Sequence, residues 1–475
     1  MVFTSQDLIS LSPVLLIAAG ILVTLTIEMF TKESEGILGW FSFALLLGVA
    51  YLSLFLIDSP TMLFGEKFVT GGRVNIFFFL FNFGAAIVVL LSMDYMKKAG
   101  IYYGEYYIIL MSSVLGMMMI AGATDFIMIF IGLEQMSVCF YILAGFNRKN
   151  EKSLEAALKY FLLGSFATGF LVYGLGLIYG TNGSLSITAM TLNYEVLRSN
   201  PMFLTGMLLF IIGFSFKIAA VPFHMWVPDV YQGAPTTVSA LLSTTGKVAA
   251  FSALILVFSP LIQAAYPAFF TPVIATLAVL SMLYGSIVAI SQNDLKRMLA
   301  YSSIAHAGYM LIGLAAWNDK GISGVIFYLT AYTFMNLAAF GLISLVEKRD
   351  LRGTEFNDFK GLGTKQPLIA GLLALTMFAL SGIPPFAGFF GKYYVFVAAI
   401  ESGMTWLAII GVLSSVISVY FYLRLTVVMY FDNSDEMVLI SPTTSAMLGI
   451  MISVLLIIIM GVAPGSILNL INNTL

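Results

Sequence analysis

The stretch IIGFSFKIAAVPFHMWVPDVYQGAPTTVSALLSTTGKVAAF at residues 211–251 decides the fold, because it joins two apolar helical runs through a turn rich in proline and glycine. Each run carries one lysine, Lys217 and Lys247, in surroundings otherwise almost free of charge. Placing an ammonium in the hydrocarbon core of a bilayer costs roughly 2.5–3.5 kcal/mol, so a lysine at that depth is expected to have a functional role. Pro222 removes a helix hydrogen bond and predicts a break. Irregular backbone at membrane depth is buried or lines a wet cavity, so the stretch predicts an ion path.

The composition indicates a membrane protein. Of 475 residues, 60% are hydrophobic and 10% are charged, whereas about 25% of the residues of a soluble domain are charged. The class is therefore a polytopic membrane protein. The net charge of −2 argues against nucleic acid as a partner. The single cysteine excludes a disulfide framework and a cysteine-ligated iron–sulfur cluster. The two histidines provide few candidate ligands for a structural metal or a bis-histidine haem.

Long apolar runs recur along the chain and predict an all-α fold with about fourteen transmembrane helices, since about 20 residues cross a bilayer. The seventh run spans about 202–223. The twelfth, about 367–400, is too long for one straight helix and contains SGIPPFAGFFGK at 381–392, where Pro384 and Pro385 predict a break. Interrupted segments at matching positions of two halves are typical of an inverted repeat. The two interrupted segments, the seventh and the twelfth, lie five spans apart. An odd number of spans per repeat reverses its orientation, so spans four to eight and nine to thirteen are predicted to be inverted repeats.

This interpretation divides the chain into four parts. They are an N-terminal three-helix segment (1–100), a first repeat with helices four to eight (101–260), a second, inverted repeat with helices nine to thirteen (261–432), and a C-terminal helix (433–475). With the N-terminus outside, the inner loops hold most of the basic residues: Lys32, Lys97, Lys98, Arg148, Lys149, Lys152, Lys296, Arg297, Lys348, Arg349, Arg352, Lys360 and Lys365. The positive-inside rule then predicts a bacterial inner-membrane protein with both termini in the periplasm.

Four ionisable side chains fall near the middle of predicted spans: Glu134, Lys217, Lys247 and Lys392. Burial destabilises the charged forms of carboxyl and ammonium groups, so such groups can exchange protons near neutral pH. A carboxylate beside an ammonium has a paired and a separated state, and moving one charge along a row of lysines can drive the next. The alternative is that these residues form static buried ion pairs that hold helices together.

His306 lies in the tenth span among small hydroxyl residues that can hold water, so it could relay protons between the two lysine regions. Equally, a neighbouring hydroxyl or carbonyl could satisfy a neutral histidine. Asp229 is interpreted as organising the turn after Pro222. Lys159 and Glu155 share a helix face and are interpreted as a pair near the inner boundary.

No nucleotide or redox motif is present in the sequence. The glycines at 174, 176 and 180 have the wrong spacing for a dinucleotide loop, no strand precedes them, and small residues for helix packing explain them. Nothing in the sequence could hold flavin, NAD or an iron–sulfur cluster. The sequence therefore predicts that this chain binds no cofactor and that its energy comes from elsewhere.

Three segments carry a resemblance to a known family: FKIAAVPFHMWVPDVYQGAPT (216–236), QNDLKRMLAYSSIAHAGY (292–309) and SGIPPFAGFFGK (381–392). They resemble hallmark segments of the antiporter-like subunits of respiratory complex I, the proton-pumping NADH:quinone oxidoreductase, and of Mrp-type cation/proton antiporters. The similarity covers essentially the whole chain. SLEAALKYFLLGSFATGF (153–170) and the lysine at 392 narrow the resemblance to one subtype of the complex I subunits.

The resemblance implies a role for each buried group. Glu134 and Lys217 would be the interacting pair of a first half-channel, Lys247 the connecting lysine, His306 a central relay, and Lys392 the terminal lysine of a second half-channel. It also implies that the chain moves protons beside other membrane subunits, while FMN, iron–sulfur clusters and quinone are bound elsewhere in the complex.

Two alternatives remain open. A sodium/proton antiporter subunit of the Mrp type would need several hard oxygen ligands for sodium, and Glu134 is the only carboxylate found near a midplane. A scaffold that transports nothing predicts that Lys247→Ala leaves proton pumping intact.

Overall fold

The computed structural model describes residues 4–31, 34–264, 269–348, 352–433 and 442–474, and these residues are predominantly helical. Lys32 and Arg349, which entered the charge count, lie outside them. In chain order the helices are α1 (Ser5–Phe30), α2 (Glu35–Phe55), α3 (Gly72–Ala99), α4 (Glu105–Gly122), α5 (Phe126–Ala144), α6 (Glu151–Asn182), α7 (Ile187–Leu192), α8 (Tyr194–Leu197), α9 (Pro201–Ile218), α10 (Val227–Gly233), α11 (Thr236–Ser243), α12 (Thr245–Ala264), α13 (Phe270–Ile290), α14 (Leu295–Ala315), α15 (Asp319–Val346), α16 (Leu362–Lys365), α17 (Pro367–Ser381), α18 (Ala387–Glu401), α19 (Thr405–Phe431), α20 (Thr444–Val462) and α21 (Pro464–Asn472).

Short elements lie between the helices. A hairpin of two antiparallel strands, β1 (Thr61–Leu63) and β2 (Phe68–Thr70), precedes α3. A 3-10 helix, Phe356–Phe359, lies between α15 and α16. These elements lie in the connections between helices.

Within the described ranges, 13 helices are long and apolar enough to cross a membrane, with α11 and α12 together forming one of them. The twelfth run of the sequence becomes two short helices, α17 and α18, on either side of a break. Together they give one further crossing. The prediction of an all-α polytopic membrane protein with about fourteen spans is confirmed.

The helices form an inner group and an outer group. The spans of α3, α11–α12, α14 and α15 are almost wholly buried, whereas most residues in the spans of α1, α2, α6 and α19 are not fully buried. α15 packs against α3, α11, α14, α17 and α18, so it lies at the centre of the inner group. Groups on these inner helices are therefore shielded from lipid on every side.

The break after α9 has a defined backbone geometry. Ala219 ends the helix in the left-handed conformation with φ 67. The N–H of Ala220 donates to the carbonyl of Ser215 at 2.8 Å, which is the six-residue closure of a Schellman motif. Pro222 follows with a cis peptide bond. The predicted interruption at Pro222 is confirmed.

The break after α17 has the same sequence of features. Gly382 ends the helix with φ 87, and the N–H of Ile383 donates to the carbonyl of Phe378 at 3.2 Å. Pro385 stands three residues after the left-handed residue, as Pro222 does, and also has a cis peptide bond. This interruption is confirmed as well. The grouping of the chain into repeats 101–260 and 261–432 stays a prediction, which the matching breaks support.

Candidate functional site

Lys217 occupies the last turn of α9 and is 7% exposed. Its ammonium donates to the hydroxyl of Ser137 at 2.7 Å and to that of Tyr141 at 3.5 Å, both on α5. The rings of Tyr141 and Tyr160 lie 5.6 and 5.9 Å from the nitrogen. Hydroxyls and aromatic faces replace part of the hydration shell of the charge, so the site can hold an ammonium without a carboxylate.

Glu134 is half-buried on α5 and accepts a hydrogen bond from the hydroxyl of Thr168 on α6 at 2.8 Å. Its carboxylate makes no ion pair with Lys217 within 4.0 Å. Ser137, which holds Lys217, stands three residues further along α5. Residues at that spacing lie on one face of a helix about 5–6 Å apart. In the structure the two groups of the predicted pair are therefore held by different partners and are not in contact with each other.

Lys247 lies at the centre of the inner group of helices and is 2% exposed. α11 ends at Ser243 and α12 begins at Thr245, and the residue between them, Thr244, has φ −107 and ψ −91. The ammonium of Lys247 donates to both the carbonyl and the hydroxyl of Ser303 at 2.5 Å. As well as the breaks at Pro222 and Pro385, an irregularity of the backbone at Thr244 thus lies beside a buried lysine.

His306 on α14 is buried and makes hydrogen bonds through both ring nitrogens. Nδ1 lies 2.8 Å from the hydroxyl of Tyr328, and Nε2 lies 3.0 Å from that of Tyr422. Tyr422 also makes a short hydrogen bond to Ser302. Because Ser302 precedes the serine that holds Lys247, hydroxyls lead from that lysine towards the imidazole. Both expected environments of His306, a satisfied ring and a relay, are compatible with this geometry.

Lys392 on α18 is 4% exposed. Its ammonium donates to the carbonyl of Ser381, the last residue of α17, and to the hydroxyl of Ser415, both at 2.7 Å. The nitrogen lies 5.0 Å from the ring of Tyr309. Tyr309 stands one turn beyond His306 on α14, so the histidine lies between the regions of Lys247 and Lys392.

The three lysines at the predicted sites share one property. Among the residues that the structure describes, no carboxylate lies within 4.0 Å of the ammonium of Lys217, Lys247 or Lys392. Each ammonium is instead held by hydroxyl or carbonyl oxygens. Static ion pairs, the alternative that the sequence left open, are therefore not what holds these lysines. Their roles in transport stay predictions.

Asp229 does more than organise a turn. Its two carboxylate oxygens lie 2.7 Å from the ammonium of Lys159 on α6 and 2.7 Å from the guanidinium of Arg297 on α14. Lys159 keeps the expected pair with Glu155 at 2.6 Å as well. A cavity of about 160 Å³, lined in part by Asp229, Glu155 and Gln232, opens beside this cluster. Residues so far apart in the sequence meet only through the packing of three helices, so spacing offered no signal.

Sequence reasoning also missed a buried ion pair between Lys296, on the first turn of α14, and Glu347, at the end of α15. Both residues lie next to predicted loops, where charged residues are usual. Within the described ranges, no group of three or more His, Cys, Asp or Glu side chains could hold a metal ion.

The fold and the site define a class: helical membrane proteins whose broken helices carry buried ionisable groups. The profile of the family described as NADH:quinone oxidoreductase/Mrp antiporter, transmembrane region, matches residues 123–418. The chain belongs to this family, and the resemblance predicted from its three hallmark segments is confirmed.

Individual relatives agree. NADH-quinone oxidoreductase subunit N of Trichlorobacter lovleyi is 43% identical, covering 96% of this chain and 94% of its own length. A subunit N of Chloroherpeton thalassium is 41% identical over 97% of this chain and 96% of its own length. A chain of respiratory complex I from Thermus thermophilus has a TM-score of 0.84 at 30% identity, covering 97% of this chain and 99% of its own.

The fold is also shared with a chain of an Mrp complex from a Dietzia species. The TM-score is 0.84, with 98% of this chain and 97% of that chain covered. Its sequence identity to this chain is 18%, so this likeness concerns the fold alone.

Proposed function

We propose that the chain is the N subunit in the membrane arm of a bacterial NADH-quinone oxidoreductase, where it moves protons across the membrane. Oxidation of NADH and reduction of quinone take place in other subunits, which also bind the FMN, iron–sulfur clusters and quinone. The observation that carries the proposal is the set of three buried lysines, each held by hydroxyl or carbonyl oxygens. An unpaired ammonium in such a site can lose its proton without leaving a buried counter-charge behind.

The first half-channel comprises Glu134 and Lys217. In the separated state, Thr168 holds the carboxylate and Ser137 holds the ammonium. Movement of the ammonium from Ser137 to Glu134 gives the paired state, which favours the charged form of both groups. Return to Ser137 removes that stabilisation and releases a proton towards the interior. The helix break after Lys217 lets the lysine reorient without bending a continuous helix.

The central groups pass the proton onward. Lys247 receives it, and Ser302, Tyr422 and His306 form a hydrogen-bonded route from the neighbourhood of Lys247 towards Lys392. A hydroxyl both accepts and donates, so it can hand a proton on while remaining neutral overall. Lys392, at the second break, is the last titratable group of this route.

The orientation of the chain is part of the proposal. The face of the membrane that bears Lys97, Lys98, Arg148, Lys149 and Lys348 is called the basic face. By the positive-inside rule it is the cytoplasmic one, and both termini then lie on the periplasmic side of the inner membrane. Other membrane-arm subunits and the lipid bilayer surround the exposed apolar faces of the outer helices.

Exchange of sodium for protons is the weaker candidate. Relatives of about 40% identity over nearly the whole chain are named as subunit N, whereas the likeness to the Mrp complex has 18% identity. A hard cation such as sodium needs several oxygen ligands together. The polar side chain observed in contact with the Glu134 carboxylate is the hydroxyl of Thr168.

The test is substitution in the assembled complex. Glu134→Ala and Lys217→Ala are expected to reduce proton pumping and quinone-linked NADH oxidation sharply, while blue-native electrophoresis still shows an assembled complex. Lys247→Ala should do the same, in contrast to the expectation for a scaffold. Lys320→Ala, which removes an exposed pair with Glu401, is the matched control. Normal pumping by an assembled Glu134→Ala complex would refute the role of that carboxylate.

A further inference from the structure

The proposed proton route does not use the buried ion pair of Lys296 and Glu347. The two side chains are 1% and 0% exposed, and the ammonium lies 3.4 Å from the carboxylate. Lys296 also donates to the carbonyl of Ala234 at 2.8 Å, and Glu347 accepts from the hydroxyl of Thr236 at 2.5 Å. Burying two charges costs several kcal/mol for each ion, and a pair of this kind is weak support for stability. The pair is therefore a candidate for a functional role.

The pair lies close to the basic face. Lys98, which is exposed at the end of α3, donates to the carbonyl of Leu345 in the last turn of α15 at 3.1 Å. Glu347 follows two residues later, as the residue that caps α15. An exposed ammonium is thus bound to the carbonyl two residues before Glu347, which places the buried carboxylate close to the aqueous phase.

A row of polar atoms leads from the pair into the membrane. The hydroxyl of Thr237, the side-chain oxygen of Asn336 and the hydroxyl of Tyr332 are buried and make no hydrogen bond of ordinary geometry to any described residue. Thr237 is on α11, and Asn336 and Tyr332 share one face of α15, which packs against α11. Buried polar groups of this kind are normally satisfied by bound water.

The two ends of the row are fixed by contacts. At one end, Thr236, next to Thr237, donates to Glu347. At the other end, the ring of Tyr332 lies 5.2 Å from the ammonium of Lys247. The interruption between α11 and α12 lies on the same stretch, just before Lys247, and irregular backbone at this depth is either buried in protein or lines a wet cavity. Buried polar atoms of α11 and α15 thus lie between the ion pair and the central lysine.

We propose that Glu347 is a proton-loading group at the cytoplasmic end of a water file that supplies Lys247 directly. This inference rests on the proposed transport of protons and adds a second site of proton uptake to it. A proton from cytoplasmic water converts the Glu347 carboxylate to a neutral carboxyl group, and Lys296 keeps its charge on the carbonyl of Ala234. The carboxyl group then gives its proton to the file, the neutral amine of Lys247 becomes an ammonium, and the carboxylate of Glu347 re-forms its pair.

Access from the cytoplasm is tested without reference to pumping. In inverted vesicles that contain the whole complex, Thr237→Cys and Asn336→Cys are treated with a small cationic methanethiosulfonate, and labelled peptides are quantified by mass spectrometry. The control is Leu342→Cys, on the same helix as Asn336 and equally buried among apolar groups. A water file predicts labelling at least about tenfold faster than the control, since the thiolate that reacts forms in water. Equal rates at all three positions overturn the file.

The role of Glu347 is tested by removing both charges of the pair. Glu347→Gln combined with Lys296→Met leaves no unpaired buried charge, so the complex should assemble. Pumping is expected to slow by at least about tenfold, because general acid–base groups contribute factors of that size or more. Normal pumping by this assembled double variant overturns the proposal, because a pair that only joins helices could be replaced.

A conservative variant separates carboxyl chemistry from packing. Glu347→Asp keeps the carboxyl group and should retain most of the pumping that Glu347→Gln loses. Equal losses in the two variants overturn the proposal even if the double variant fails to assemble. Glu134→Ala distinguishes the two proposals: if it abolishes pumping while the assembled double variant pumps normally, the proposed function stands and the uptake site at Glu347 does not.

Discussion

The two helix breaks have the same backbone design and differ in how they use charge. In each, a left-handed residue closes the helix, Ala219 in the first and Gly382 in the second, and a proline follows three residues later. In the first break the lysine precedes the left-handed residue. In the second it lies on the helix that follows. The backbone thus determines where each helix is interrupted, and the position of the lysine determines which group donates a hydrogen bond at the interruption.

One carbonyl near each of the two breaks accepts a hydrogen bond from a side chain, and the donors differ. The indole N–H of Trp226 donates to the carbonyl of Phe216 at 2.9 Å in the first break. In the second, the ammonium of Lys392 donates to the carbonyl of Ser381 at 2.7 Å. A neutral group therefore closes the first break and leaves Lys217 able to change partners, whereas the titratable group itself closes the second.

The largest effect is expected from removing each lysine charge. Lys392→Met leaves the carbonyl of Ser381 without this donor, and an unsatisfied buried group costs about 1–3 kcal/mol. Lys217→Met removes no donor from the backbone, and Ser137 keeps its bond to the carbonyl of Leu133. Lys392→Met should therefore be less stable than Lys217→Met by about 1–3 kcal/mol. The measurement is the thermal midpoint at which this subunit leaves the solubilised complex. Equal midpoints would contradict the comparison.

The residues that close the two helices give the next effect. A Cβ on Gly382 would lie 3.0 Å from both the Cδ and the Nζ of Lys392, at φ +87. Gly382→Ala should destabilise the subunit by about 1–2 kcal/mol, and it should displace the ammonium, so pumping should also fall. Ala219→Gly is the reciprocal control: relief of the left-handed strain is partly offset by the extra freedom of glycine in the unfolded chain. A loss of stability in Ala219→Gly would show that the two breaks are not equivalent.

The hydrogen bond donated by the indole of Trp226 can be tested by replacing the indole with a phenyl ring. Trp226→Phe removes the indole donor, while a ring remains to stack on Tyr160, whose centroid lies 4.3 Å away. The loss should be about 0.5–1.5 kcal/mol, with pumping retained, since Lys217 keeps its own partners. Trp406→Phe, at an exposed position, is the control for the loss of ring area. Failure of pumping in stable Trp226→Phe would show that this break also depends on its donor for transport.

The smallest effect concerns Asp229, which lies in the segment between the spans, beyond the first break. Burial opposes the shift, but hydrogen bonds and charges from Lys159 and Arg297 lower the pKa of Asp229 below its ordinary value of 3.8. The stabilisation is therefore present above that value and is lost as the pH falls through the lowered pKa. Asp229→Asn should cost less than about 1 kcal/mol at pH 7, because the group is partly exposed. The difference from the unmodified protein in thermal midpoint should shrink in strongly acidic buffer, and a constant difference would contradict this account.

Much of the site could be predicted from the sequence, because a charged residue within a long apolar run is easily recognised. The sequence predicts that Lys217, Lys247 and Lys392 are buried, because their neighbours in the sequence are almost all uncharged, and all three are buried. Their partners were not predictable. Ser137 and Ser303 look like ordinary small residues of apolar helices, and their hydroxyls become ligands only because particular helices cross at those positions.

The ion-pair contacts that sequence analysis missed share a different property. Asp229, Lys296 and Glu347 lie near the ends of spans, where solvated charge is normal. Their pairing, and the burial of Lys296 and Glu347, arise from contacts between residues that are far apart in the chain. The sequence also could not predict whether Glu134 and Lys217 are in contact, since the same residues allow both the paired and the separated arrangement.

The sequence by itself determined the class of the protein, the number of its spans and the two interruptions, because the length of an apolar run and the chemistry of proline act locally along the chain. Tertiary structure alone decided which oxygens hold each ammonium and which charges meet. Those contacts join residues that are distant in sequence, and a buried charge takes its partner from whichever helix packing brings within hydrogen-bonding distance.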